Sequence, residues 1–426
     1  MIIQFSRLIL VSILSVIATS LFAQADQLTI DSCYILARQH YPQIKKQDLI
    51  AKSGAYSLEN AARVYLPQLT INGQATYQSQ TIDFRDVLPA APANSIPTLS
   101  RDQYKIQAEI SQQIYDGGVT QNQKELIRAN EAIRQQSLEV DLNALKDRVN
   151  QIYFSILLMA EQLKQNEIRK NDLQGALDKA SAAFKQGSGF RSNVDELKAE
   201  LLNVDMTGIE FKSNRKAYLN MLSLLIGRPL DETTELQQPA PQPVVTEINR
   251  PELKRFDLEK ETFNIREKQL KSEYLPKLNA FVQGAYGRPT LNFIDNAFGT
   301  WWLAGIRFNW ALGNLYSLKN NKALLAIDRQ NQDIEKETFL FNTHLNLSQE
   351  NVNINKYSAL IQKDDSAISL RASVSLSAKA QLDNGVITVH EYINKLNDEN
   401  LSRQLRILHH IQLLQALYNY KTTSGN

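Results

Sequence analysis

The chain has 426 residues, of which 43% are hydrophobic and 22% charged, so it is long enough to bury a large core or to form two domains. Its net charge of +2 is close to neutral and gives no reason to expect a nucleic acid as partner. Cys33 is the only cysteine, which excludes a disulfide bond within the chain.

Residues 1–25 have the features of a secretory signal peptide. Arg7 supplies a positive charge, residues 8–22 are mostly apolar, and small residues follow at Ala23 and Ala25, after either of which cleavage is expected. The apolar run is shorter than the ~20 residues that a membrane-spanning helix needs. We therefore predict export with cleavage rather than a membrane anchor.

Residues 26–228 are predicted to form a first structural repeat of helix, strand, loop, strand, long helix, turn and return helix. A stretch without any proline follows the second strand, and 68 helical residues would extend roughly 100 Å at ~1.5 Å per residue. The predicted elements are a helix over Asp31–Val64, strands over Gln68–Gln78 and Tyr104–Ile114, the long helix Val119–Gln186 and the return helix Ser192–Ile226.

A Pro-rich linker over residues 229–250 leads to a predicted second repeat over residues 251–426. Its order of elements is the same, and its long helix contains neither proline nor glycine. The predicted elements are strands Lys277–Gly287 and Trp301–Ala311, the long helix Leu315–Asn384 and a last helix over Thr388–Tyr420.

The two repeats share short sequence segments at a regular offset, which indicates an internal duplication. Residues 65–69 (YLPQL) reappear as residues 274–278 (YLPKL), 209 positions later. Farther along the offset falls to 196, at which Gly117 meets Gly313 and Gly189 meets Gly385. The difference falls in a Pro-rich loop of the first repeat, as expected of an exposed connection.

All four predicted strands alternate between an apolar and a mostly polar face. Strands of ~9–11 residues with this alternation are typical of a membrane β-barrel, although an amphipathic sheet on a soluble core has the same pattern. The long helices cannot fold back over four short strands, and four strands are too few to close a barrel, for which ~8 are needed. We therefore expect a barrel shared between chains, with 8 strands from two copies or 12 from three, and a wide lumen favours three.

With these elements in place, the mature chain resembles the TolC-like outer membrane efflux protein family. The resemblance covers essentially the whole mature chain and depends on the duplicated order of elements and on four segments: residues 28–30 (LTI), 65–67 (YLP), 114–118 (IYDGG) and 224–230 (LLIGRPL). It implies a mainly α protein with transmembrane β structure, in which very long antiparallel helical hairpins form a coiled-coil-like α-barrel. Four strands from each chain would then complete a 12-stranded barrel in a homotrimer.

The family resemblance also implies a function and a location. The trimer would lie in the outer-membrane lipid of a Gram-negative bacterium with a large periplasmic portion. It would act as the exit duct of a tripartite efflux or type I secretion system, together with a periplasmic adaptor and an inner-membrane transporter.

The helical turns would be the periplasmic tips of such a channel. In similar channels an acidic residue of the second tip lines the constriction, and that position is Glu391, with Asp195 as its counterpart in the first repeat. The predicted gate or tip residues are Glu391, Asn394, Asp195, Gly385, Gly189 and Thr388. Thr388 and Glu391 also have the spacing of a capping box, as Ser192 and Asp195 do in a weaker form, and a capping role is compatible with a gate role.

No catalytic, cofactor-binding or metal-binding pattern is recognisable, so we expect neither an enzyme nor a cofactor. The five histidines show no metal-ligand spacing, and residues 187–189 (GSG) are too short for a phosphate-binding loop. Two alternatives to a channel remain at this stage. One is an exported trimeric coiled-coil scaffold or adhesin, and the other is a soluble periplasmic enzyme with helical decoration.

Overall fold

The computed structural model describes residues 28–81, 99–292, 294 and 296–426. The predicted signal peptide and the Pro-rich part of the first strand–strand loop lie outside the described residues. Within them the protein is mainly helical with one four-stranded antiparallel sheet, so the predicted fold class is confirmed.

The order of helices and strands is the predicted one in both halves of the chain. The helices are α1 (Ile30–His40), α2 (Lys46–Ala62), α3 (Val119–Asn143), α4 (Leu145–Lys185), α5 (Arg191–Ile226), α6 (Pro251–Ser272), α7 (Leu315–Asp383) and α8 (Val389–Ser424). The strands are β1 (Gln68–Tyr77), β2 (Asp102–Tyr115), β3 (Lys277–Arg288) and β4 (Gly299–Asn309). Single 3-10 turns cover Pro42–Lys45, Arg63–Tyr65 and Leu312–Asn314.

Two predicted helices are interrupted. The first breaks between α1 and α2, because Pro42 disfavours the helical conformation of the residue before it, and Tyr41 is extended with ψ 127°. The long helix of the first repeat is divided into α3 and α4 at Ala144. Ala144 keeps helical backbone angles and its N–H donates to the carbonyl of Val140 at 3.2 Å, so the interruption is confined to this residue.

The chain divides into two compact units, each made of separate segments. One contains the described residues up to 44 together with 139–251 and 340–426, and the other contains 45–138 and 252–339. The first unit has two apolar clusters. One surrounds Tyr153, Phe154 and Leu222, and the other surrounds Leu173, Leu197 and Tyr392, all of which are essentially inaccessible to solvent.

The second unit contains the sheet, whose strands lie in the order β1-β2-β3-β4. The two hairpins meet where β2 pairs with β3, and Glu109 lies opposite Gln283 in that register. An irregularity between Gln113 and Tyr115 shifts the pairing at the end of β2. The sheet is open, because within the described residues β1 and β4 each have a paired strand on one side only.

None of the helices in the described part of the chain has both the length and the apolarity of a membrane-spanning segment.

Candidate functional site

Two helical hairpins of the first unit, α4–α5 and α7–α8, end in turns built on the same backbone hydrogen bonds. At the end of α4, the N–H of Gly187 donates to the carbonyl of Phe184, and that of Ser188 donates to Ala183, both at 3.0 Å. At the end of α7, Gly385 donates to Leu382 at 3.0 Å and Val386 to Gln381 at 2.8 Å. Both are Schellman turns, which satisfy the free carbonyls at a helix end.

The glycine that enables each turn is the one with a positive φ. These residues are Gly187, with φ +77°, and Gly385, with φ +69°. A side chain at either position would be strained, since this conformation favours glycine. Gly189 is not the counterpart of Gly385, so the equivalence predicted from the sequence is wrong at the turns. The structural offset between the two turns is 198 positions rather than 196.

This shift changes the predicted counterpart of Glu391. Phe190 is the N-cap of α5 and Thr388 is the N-cap of α8, so the third residue of α5 is Asn193 and that of α8 is Glu391. Asp195 lies two residues farther along, where it pairs with Arg191 at 3.4 Å on an exposed surface. The predicted equivalence of Asp195 and Glu391 is therefore also wrong.

Thr388 and Glu391 form the predicted capping box. The N–H of Thr388 donates to Glu391 Oε2 at 2.9 Å, and the N–H of Glu391 donates to Thr388 Oγ1 at 3.2 Å. Two of the backbone donors that the start of α8 leaves without an intrahelical partner are thereby satisfied. The corresponding prediction for Ser192 is wrong, because Ser192 lies inside α5 and the N-cap Phe190 has no side chain able to accept a hydrogen bond.

Glu391 and Asn394 are both exposed and face one groove of about 360 Å³, which Lys395 also lines. The pKa of Glu391 is lowered, first by the hydrogen bonds from the backbone N–H and the hydroxyl of Thr388 and then by the charges of His390 and Lys395. The carboxylate is therefore ionised at neutral pH and directed at a helix N-terminus, where negative charge is favourable.

The two hairpins are joined by ion pairs and by a partly buried polar network. Arg169 of α4 donates to Glu200 of α5 and also, at 2.7 Å, to Asn397 of α8, and Asn397 in turn donates to Glu200 at 3.1 Å. Lys179 pairs with Asp383 at 2.6 Å closer to the turns. The relative positions of the two turns are thus fixed by side chains from all four helices.

Sequence reasoning missed two exposed apolar residues on the turns. Phe190 is 75% exposed and Val386 is 70% exposed, and both belong to the segments that connect the helices. They stand at the rim of a pocket of about 930 Å³ between the hairpins, whose wall includes Tyr392 and Ala180. The available sequence signal was a Phe directly after residues 187–189 (GSG) and a Val directly after Gly385.

The sheet of the second unit has one apolar and one mostly polar face, as the alternation predicts. Apolar side chains on the first face are unusually open to solvent, with Trp302 at 74%, Ile306 at 70% and Ile71 at 66% exposure. Side chains on the other face bond across the strands. Gln107 Nε2 donates to Gln283 Oε1 at 2.7 Å, for example.

Comparisons with known proteins agree with this arrangement of hairpins and strands. Residues 34–228 match the model of the outer membrane efflux protein family. Three solved structures with the same fold are CusC (13% identity, TM-score 0.68, covering 93% of this chain and 92% of that chain), the outer membrane protein VceC of Vibrio cholerae (11%, 0.66, 93% and 96%) and the outer membrane channel CmeC of Campylobacter jejuni (13%, 0.63, 93% and 85%). No curated protein matches the sequence.

The chain therefore has the fold of the outer membrane channels. Its resemblance to the TolC-like outer membrane efflux protein family is confirmed.

Proposed function

We propose that three copies of this chain form the outer-membrane channel of a tripartite efflux or type I secretion system. The strands of the three copies would make one 12-stranded barrel in the outer membrane of a Gram-negative bacterium. The helical hairpins would make a tunnel that extends into the periplasm, and substrates would pass through passively to the exterior. Energy would come from an inner-membrane transporter linked to the channel by a periplasmic adaptor.

The observation that carries the proposal is an open sheet whose apolar face is left uncovered by the described part of the chain. On the apolar face Ile71, Trp302 and Ile306 are largely exposed, and β1 and β4 offer unpaired edges within the described residues. Large exposed apolar surfaces mark interaction with another protein or with lipid. Open strand edges are not tolerated in lipid. Pairing β4 of one copy with β1 of the next would satisfy these edges, and the closed barrel would direct its apolar face toward lipid.

Helix α7 supports the proposed assembly of copies. Of its 69 residues, only four are buried in the described chain, namely Thr343, Leu347, Ser375 and Ala378. Several large apolar residues of α7 are mostly exposed instead, among them Phe341 at 62% and Leu376 at 71%. A helix with this much uncovered apolar surface requires a neighbour, and a second copy of the same chain supplies one.

The exposed turns are where we place contact with the adaptor. Phe190 and Val386 offer apolar surface at the ends of the hairpins, next to the pocket that the hairpins enclose. Aromatic and apolar side chains of this kind often carry the binding energy of protein interfaces. We propose no enzymatic activity and no cofactor for this chain.

Purification from outer membranes followed by insertion into a planar lipid bilayer tests the proposal. If the protein is a channel, its mass in detergent should be that of three chains, and the same preparation at the same protein concentration should give steady single-channel currents. A trimeric scaffold or adhesin would have the same mass without currents. A water-soluble monomer would contradict the proposed channel and the shared barrel together.

A further inference from the structure

The polar face of the sheet carries an excess of positive charge. Three cations lie on it, Lys105 on β2, Lys277 on β3 and Arg307 on β4, and one carboxylate, Glu109. The net charge of the face is therefore +2 per chain. Strand β1 contributes no charged residue.

The single carboxylate is recessed, whereas two of the three cations, Lys105 and Arg307, are exposed. Glu109 pairs with Arg307 at 3.4 Å, but the side chain of Glu109 is 17% exposed whereas that of Arg307 is 51% exposed. Lys105 is exposed, and no described carboxylate lies within ion-pairing distance of it. A solute approaching this face from solution thus meets the guanidinium and the ammonium before it meets the carboxylate.

Aromatic rings lie directly beside the two exposed cations. The guanidinium of Arg307 is 4.6 Å from the centre of the Phe281 ring, and Lys105 Nζ is 5.9 Å from that of Trp301. The register explains both contacts. Phe281 is a diagonal neighbour of Arg307. Trp301 lies opposite Ala285, which is the neighbour on the same face of β3 to the residue that pairs with Lys105. Cation–π contact holds each cation over a ring without neutralising it.

A cation beside a flat apolar ring favours one class of solute, a small organic anion with an aromatic ring. Its carboxylate interacts with the cation and its ring stacks on Phe281 or Trp301. Stacking of aromatic pairs adds to affinity beyond the burial of area. Simple cations are repelled by the same face, and simple anions lack the stacking.

We propose that the polar face of this sheet selects anionic aromatic solutes as they pass through the channel. The inference rests on the proposed function, in which this face lines the barrel. Closure of three copies would place nine cations and three carboxylates around one lumen. The sheet would then act as a selective region of the pore, through Lys105, Arg307, Phe281 and Trp301.

Reversal potentials across a planar bilayer test the charge preference. A salt concentration near 10 mM is suitable, because the Debye length is then about 30 Å and the charges of the face are little screened. The wild-type channel is expected to prefer chloride over potassium. In Lys105→Gln/Arg307→Gln the face becomes neutral through the loss of two unit charges per chain. The preference should fall by at least about threefold, since even one unit charge roughly 7 Å from a passing ion in water contributes about RT.

Two variants serve as matched controls for charge. Lys105→Arg/Arg307→Lys retains both charges and should retain the wild-type preference, while Glu109→Gln should increase the preference for chloride. Identical reversal potentials in all four proteins would overturn the inference while leaving the channel intact. Absence of current from all four would overturn the channel, and the inference with it.

Block of the current by benzoate and by acetate tests the role of the rings. Benzoate should block the wild-type channel at an about fivefold lower concentration than acetate, as ~1 kcal/mol of stacking predicts. Phe281→Leu/Trp301→Leu keeps apolar bulk at both positions and should remove the difference. Equal block of the wild-type channel by the two anions would overturn the proposed preference for aromatic solutes.

Discussion

Thr388 and Glu391 exchange two hydrogen bonds across the first turn of α8, at 2.9 and 3.2 Å. The pair satisfies backbone donors that the helix itself cannot satisfy. It also holds the Glu391 carboxylate against the helix N-terminus, so the position of this charge depends on the cap.

We predict that Thr388→Ala loosens the first turn of α8. Loss of an N-cap threonine costs about 0.5–2 kcal/mol, so local opening should become about fivefold more frequent. Hydrogen–deuterium exchange of the amides at residues 389–391 measures this opening. Ser192→Ala is the control, since Ser192 does not cap α5 and its loss should leave exchange at residues 191–195 unchanged. Equal effects of the two substitutions would contradict the assigned cap.

The cap is also expected to depend on pH. The pKa of Glu391 is lowered in the folded protein by the hydrogen bonds from Thr388. Its stabilisation is therefore fully present above the pKa of an unfolded glutamate and disappears as the pH falls through the lowered folded pKa. At each pH, exchange in wild type should be compared with that in Glu391→Gln. The wild type should be better protected at neutral pH, and this advantage should shrink once the pH falls below the ordinary pKa of a glutamate, about 4.3. A constant difference would argue against the linkage.

A gate role for Glu391 makes a prediction that capping alone does not. If three copies of Glu391 surround the axis, Glu391→Ala should change single-channel conductance and shift the ion preference of the channel further toward anions, because three negative charges no longer line the opening. Thr388→Ala is the matched control, since it disturbs the cap and keeps the charge. Asp195→Ala should have little effect, because Asp195 does not occupy the equivalent position. Unchanged conductance in Glu391→Ala would mean that this residue only caps the helix.

The network of Arg169, Glu200 and Asn397 should stabilise the hairpins more than any exposed ion pair does. The side chains of Arg169 and Glu200 are 13% and 14% exposed, so Glu200→Gln leaves a largely buried guanidinium without its counter-charge. We expect a loss of roughly 2 kcal/mol, less than for a fully buried pair because some solvent remains. Urea titration followed by circular dichroism of the helices measures the change.

An exposed ion pair between the same two helices provides the comparison. Lys170 and Asp205 are 40% and 46% exposed, and Asp205→Asn should cost no more than ~1 kcal/mol. Replacing Arg169 and Glu200 together should cost less than the sum of the single changes. Similar losses in Glu200→Gln and Asp205→Asn would show that burial does not strengthen the first pair.

Most helix and strand ends were predictable because glycine and proline mark them. Because the long helix of the second repeat contains neither residue, it was predicted as one unbroken helix. Its observed end at Asp383 is within one residue of the predicted end. Pro42 was present in the sequence as a break signal, and the structure divides the first helix there. Ala144 has no such signal, since neither a glycine nor a proline lies beside it.

The register of the tips was not predictable from residue identity. Residues 187–189 contain two glycines, and aligning Gly189 with Gly385 kept the offset of 196 constant. Backbone conformation decides between them, because only Gly187 has the positive φ that the turn requires. The pairing of β2 with β3 could not be predicted from the sequence either. The paired residues are more than 150 positions apart in the chain, and pairing over such a separation leaves no local sequence pattern.

Cross-linking between the edge strands of neighbouring copies tests the shared barrel most directly. Cys33 is replaced by alanine, one cysteine is placed on β1, and a second is moved through the positions of β4. We expect some combinations to link copies through β1 and β4 in outer membranes, giving products of two and three chains and none larger. Products within single chains alone, or a series that continues beyond three chains, would contradict it.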